Sequence, residues 1–101
     1  MNNFYIYVKA LNKVLLGLAI QYQKDYPQSS EILAKDTNFL ASQNWEVFEF
    51  TQENVESLYE NLSYSTVCDI MSFANNYGLD KDIDYEKIHL NLKQLEEIEK
   101  E

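Results

Sequence analysis

Asp80, Asp82 and Asp84 alternate along the chain, and alternating carboxylates are how a calcium-binding loop opens, because they aim several oxygens at one hard cation. The pattern then stops. The sixth position of such a loop needs glycine for its sharp turn and here holds Tyr85; the twelfth needs a bidentate glutamate and holds Asn91. Cys68 and His89, the only cysteine and only histidine, would make a nucleophile and base if the fold joined them. Nothing in the surrounding sequence draws them together. Around His89 on a helix stand Tyr85, Glu86, Leu92 and Lys93, so Glu86 is the one further ligand on that face. A surface or half-buried histidine is the expectation. No glycine-rich loop is present to cradle a phosphate, and a bundle this small leaves little room for a substrate cleft. The chain reads as a non-enzyme that needs no cofactor and no metal.

What remains chemically distinctive is charge. All eight basic residues are lysine, against seventeen acids, for a net charge of −9. Residues 1–50 hold four lysines and five acids, a net of −1; residues 51–101 hold four lysines and twelve acids, a net of −8. Nucleic acid is a poor ligand for such a chain, since phosphate contacts require a basic face. Glu53, Glu56 and Glu60 step by three and four, which places them on one helix face. Like charges at that spacing repel by a few tenths of a kcal/mol per pair, so stability does not ask for them. Asp80, Asp82, Asp84 and Glu86 form a second cluster, where a following helix N-terminus favours acids through its dipole.

Eight tyrosines accompany the acids. Tyr7, Tyr22, Tyr59 and Tyr77 fall on apolar stripes and are expected at the core or its edge; Tyr5, Tyr26, Tyr64 and Tyr85 lie near helix ends or off the stripes. Tyrosine offers a rigid apolar body with a polar tip, which suits a protein-binding surface. The partner-binding candidates are therefore Glu53, Glu56, Tyr59 and Glu60, together with Asp80, Asp82, Asp84, Tyr85 and Glu86. The partner expected is a basic protein: a toxin, a nuclease or another nucleic-acid-binding protein, blocked by complementary charge. An immunity protein, an antitoxin and a phage-encoded nucleic-acid mimic share that physics. In size, acidity and helical character the chain is similar to bacteriocin immunity proteins, a likeness of type and not of motif. The alternative is a structural or adaptor protein, a helical homodimer joined through Ile6, Leu16 and Ile20, which lie partly off the main stripe of the first helix.

The elements that carry these residues follow from periodicity and caps. At 101 residues the chain is expected to be one domain, 1–101, and 46% hydrophobic residues suffice for one modest core. Phe4, Val8, Leu11, Leu15, Leu18 and Tyr22 step by four and three, a helical stripe ended before Pro27. Gly17 inside it is expected to allow close packing against a neighbouring helix. Ser29 and Ser30 are expected to cap a second helix that carries Glu31 in its first turn, buries Ile32, Leu33, Phe39 and Leu40, and runs to Ser42. Residues 44–50 read as an extended, aromatic-anchored connection, with a short helix as the alternative. Thr51 caps the next helix, with Val55, Leu58, Tyr59 and Leu62 inward, and Ser63 or Ser65 caps another, with Val67, Ile70, Met71, Ala74 and Tyr77 inward. Gly78 stops it, an acidic turn follows, and the last helix runs from Tyr85 to Lys100. The expected core is Phe4, Leu11, Leu15, Leu18, Leu40, Leu58, Leu62, Met71, Ile88, Leu92 and Leu95. The fold class is all-α: a small bundle of four to five helices, with one short extended segment near 44–50.

One cysteine excludes an internal disulfide, as expected in a reducing cytoplasm. The longest apolar run, Val14 to Ile20, is far shorter than the ~20 residues that cross a bilayer. It lies behind Lys9 and Lys13 as a signal peptide would, but Gln21-Tyr22-Gln23 gives no small-residue cleavage site, and a core helix is the reading.

Overall fold

The stripe from Phe4 to Tyr22 forms one helix, α1, over Asn3–Tyr22. The computed structural model describes the backbone of residues 3–100 and the side chains of residues 3–93. Four further helices follow: α2 (Pro27–Ser42), α3 (Gln52–Asn61), α4 (Tyr64–Asn76) and α5 (Tyr85–Lys100), and no strand occurs among the described residues. The protein is a small all-α bundle.

α1 and α2 form a hairpin. Tyr26 leaves helical geometry at φ −135° and ψ 66°, as a residue before proline must, and Pro27 opens α2. This start is two residues ahead of the expected serine cap. Proline at the first helical position is pre-set for the helix and lacks the N–H that a cap would have to satisfy. Ser30 is thereby released for another task. It is buried, and its hydroxyl donates to the Ala19 carbonyl of α1 at 2.5 Å, tying the hairpin together. Glu31 accordingly lies beyond the first turn. Ile32 points outward at 53% exposed, whereas Leu40 is buried and Leu33 and Phe39 are half-buried.

The connection after α2 combines both expected forms. Trp45–Val47 makes one 3₁₀ turn, and Phe48 continues in extended geometry. The Trp45 indole N–H donates to the Leu40 carbonyl at 2.6 Å. Phe4 meets Trp45 edge-on at 5.7 Å and Phe50 edge-on at 4.8 Å, so the connection closes over the start of α1. An irregular segment is held here by aromatic burial in place of a sheet.

Thr51 caps α3 as expected, its Oγ1 accepting from the Asn54 N–H at 3.1 Å. Ser63 precedes α4 but leaves the capping to Asp36 of α2. Asp36, 2% exposed, accepts from the Ser63 N–H at 2.9 Å, the Ser63 hydroxyl at 2.6 Å and the Thr66 hydroxyl at 2.7 Å. A buried carboxylate is tolerated where donors and a helix N-terminus surround it. Gly78 ends the α4 region at φ 68°, left-handed geometry that disfavours a side chain.

The core joins side chains from every helix: Phe4, Val8 and Leu15; Leu40; Val55 and Leu58; Val67, Ile70, Met71 and Ala74; and Ile88. Leu62 is also buried, while Leu11, Leu18 and Leu92 are half-buried and Leu95 lies outside the described side chains. Tyr77 departs from its expected inward stripe at 59% exposed, because the helix is already ending there and its ring stacks on Phe73 from outside. Gly17 departs too: a Cβ added there meets nothing within 4 Å. The molecule is flat, with extents of 46 × 41 × 21 Å, and its 14.5 Å radius of gyration exceeds the ~13 Å typical of a chain near this length. Flatness leaves much of α1 open, and Val14, Leu16 and Ile20 are each at least half exposed. No described helix is long and apolar enough to cross a membrane.

Candidate protein-interaction surface

Gln52 joins the two acidic clusters that the sequence separates by some thirty positions. Its side-chain amide donates to the Asp84 carbonyl at 3.1 Å, and its side-chain oxygen accepts from the Asp84 N–H at 2.8 Å. The same amide donates to Glu56 Oε1 at 3.2 Å. The first turn of α3 is thereby set beside the first turn of α5. Asp84 also caps α5, with Oδ1 accepting from the Lys87 N–H at 3.1 Å.

Around this junction Glu53, Glu60, Asp82, Asp84 and Glu86 are exposed, and Glu56 is half-buried. Glu56 and Glu60 form a narrow groove with Tyr59 on α3 and with Ile88, Asn91 and Leu92 on α5. Their carboxylates thus stand at the α3–α5 seam. Carboxylates so grouped, next to half-buried tyrosines, give a negative surface with apolar contact area.

Asp80 is the correction to this picture. It was expected in the exposed patch, but it is only 8% exposed and faces inward. Asn75 donates to its Oδ2 at 3.3 Å, and the Tyr85 hydroxyl donates to the same oxygen at 2.5 Å. Burial first, then the Asp80 hydrogen bond and charge, push the Tyr85 phenol far above its ordinary range, so it stays a donor. Tyr85, at the start of the last helix, is half-buried in consequence.

Asp80 and Tyr85 belong to a cleft of about 320 Å³, larger than a bundle of this length was expected to hold. Tyr59 of α3 forms another wall, and Cys68, Asn75 and Asn76 of α4 complete much of the rest. Burial, followed by the Cys68 and Tyr64 side chains, raises the Tyr59 phenol as well. Tyr59 lines both this cleft and the acidic groove.

His89 is exposed and meets the Tyr59 ring at 6.5 Å, while Cys68 sits in the cleft wall; no hydrogen bond joins the pair among the described residues. Nor, among those residues, do three or more His, Cys, Asp or Glu side chains converge as a metal site. Sequence reading missed the cleft and Gln52. The one local signal was Gln52 directly after the Thr51 cap, which is where a side chain can reach back from a helix start. Comparison with protein-family models, curated proteins and solved structures finds no match to this chain.

Proposed function

We propose that the protein is a small, non-catalytic inhibitor that binds a basic protein, one whose own function is to bind or cut nucleic acid. The observation that supports this reading is the Gln52 bridge to Asp84, which merges two acidic clusters into one surface at the α3–α5 seam. Glu53, Glu56, Glu60, Asp82, Asp84 and Glu86 supply the charge, and Tyr59 and Tyr85 supply contact area. Such a surface presents carboxylates to cations that would otherwise hold phosphates. Charge of one sign speeds encounter with a basic target and disfavours neutral competitors. Immunity protein, antitoxin and nucleic-acid mimic are three forms of the same blocking action.

The test compares wild type with the Glu53→Gln, Glu56→Gln, Glu60→Gln triple variant as immobilised bait. A basic protein retained by wild type near one-to-one, released by rising salt and ignored by the variant supports the reading. Equal retention by the two baits overturns it.

A second reading rests on α1. Ile6, Leu16 and Ile20 are 43%, 50% and 65% exposed, an apolar face suited to a structural homodimer. Sedimentation distinguishes the two: a salt-resistant dimer, unchanged in the triple variant, favours the structural role.

A further inference from the structure

We infer that the cleft between α3, α4 and α5 is a socket for one guanidinium group, delivered by an arginine side chain of the basic partner. The inference rests on the proposed function for the source of the cation and on the cleft itself for the chemistry. Its lining includes a carboxylate that the fold has largely buried. Asp80 is 8% exposed, and both its side-chain donors, Asn75 and Tyr85, fall on Oδ2. Among the described residues no donor meets Oδ1, and no lysine lines the cleft. A carboxylate whose neutral donors both fall on one oxygen leaves the other to accept from a cationic N–H donor.

The nature of that cation follows from the walls. Tyr59 and Tyr85 are aromatic, whereas Ser72 and Asn76 bring neutral oxygens. Aromatic faces and dispersed neutral acceptors suit a planar, weakly hydrated, multi-donor cation better than a metal ion, and guanidinium meets all three conditions. Among the described residues no three His, Cys, Asp or Glu side chains converge to hold a metal ion. A volume of about 320 Å³ is at the small end for ligand pockets and admits an inserted side chain. The cleft shares Tyr59 with the acidic groove, so an arginine anchored there leaves its neighbours over Glu56 and Glu60. The chain has no arginine of its own.

The experiment titrates the isotope-labelled full chain with N-acetyl-arginine-N-methylamide, followed by NMR, against the neutral citrulline isostere. Saturable shifts at the Asn75 and Asn76 side-chain amides, with citrulline binding about tenfold or more weaker, are expected. Tyr59→Ala should weaken the arginine probe about tenfold, while Tyr85→Phe, which keeps the wall, should retain it. Each variant's spectrum reports whether it is folded. Equal response to citrulline, shifts confined to the outer acids, or indifference to Tyr59→Ala in a folded protein overturns the socket. The two proposals fail separately. A captured partner that ignores Asp80→Asn removes the socket and leaves the inhibitor, whereas specific arginine binding without any captured basic protein makes the cleft a site for a free guanidinium compound and removes the partner as its source.

Discussion

The carboxylate of Asp36 on α2 holds both the backbone N–H and the hydroxyl of Ser63, twenty-seven positions later, at 2.9 and 2.6 Å. One side chain thus caps α4 and docks it on the α1–α2 hairpin. Asp36→Ala leaves buried donors without an acceptor and is expected to cost about 3 kcal/mol. Asp36→Asn keeps an acceptor and should cost about 1 kcal/mol. Urea unfolding of both variants checks the order.

Alkaline stability is set in part by Tyr85. Its phenol is raised from 10.0 in the folded protein, chiefly by burial and then by Asp80. The unfolded chain therefore loses this proton first as pH climbs, and holds fewer protons than the folded one above about pH 10. Stability from this residue is complete below pH 10 and declines above it. Unfolding free energy measured from pH 8 upward should fall more steeply in wild type than in Tyr85→Phe.

Gly17 is exposed in the middle of α1 with open space where a Cβ would stand. Gly17→Ala should raise stability by roughly 0.5–1 kcal/mol through helix propensity alone. Thermal melting at fixed protein concentration tests this, and a loss of stability would mean that another chain packs closely at this position.

Gln52→Ala removes three hydrogen bonds at the α3–α5 junction. The expected cost is about 1 kcal/mol, with the Asp84 amide exchanging faster in deuterated solvent while the Leu58 and Ile70 amides keep their protection. The same change should weaken basic-partner binding although it removes no charge, because the two acidic groups lose their fixed spacing.

Local signals carried most of the fold. Thr51 and Gly78 act within a few residues of themselves, and their helix boundaries stand where capping chemistry places them. Ser29 and Ser30 misled because two local signals competed, and the pre-set dihedral of Pro27 outweighed a serine cap. Asp36 with Ser63, and Gln52 with Asp84, were illegible because their partners are 27 and 32 positions apart. No periodicity encodes such a pairing. The acidic candidates were legible by type and spacing for Glu53, Glu56 and Glu60. Asp80 was not, since only the packed structure shows that one carboxylate of its cluster turns inward.

The only tryptophan, Trp45, is buried beneath Phe4 and Phe48 with its indole N–H committed to Leu40. The protein therefore contains a single indole fluorophore that watches the hairpin and its aromatic closure. Its emission shifts to the red when the chain unfolds. Opening of that closure can therefore be followed in solution without attaching a dye.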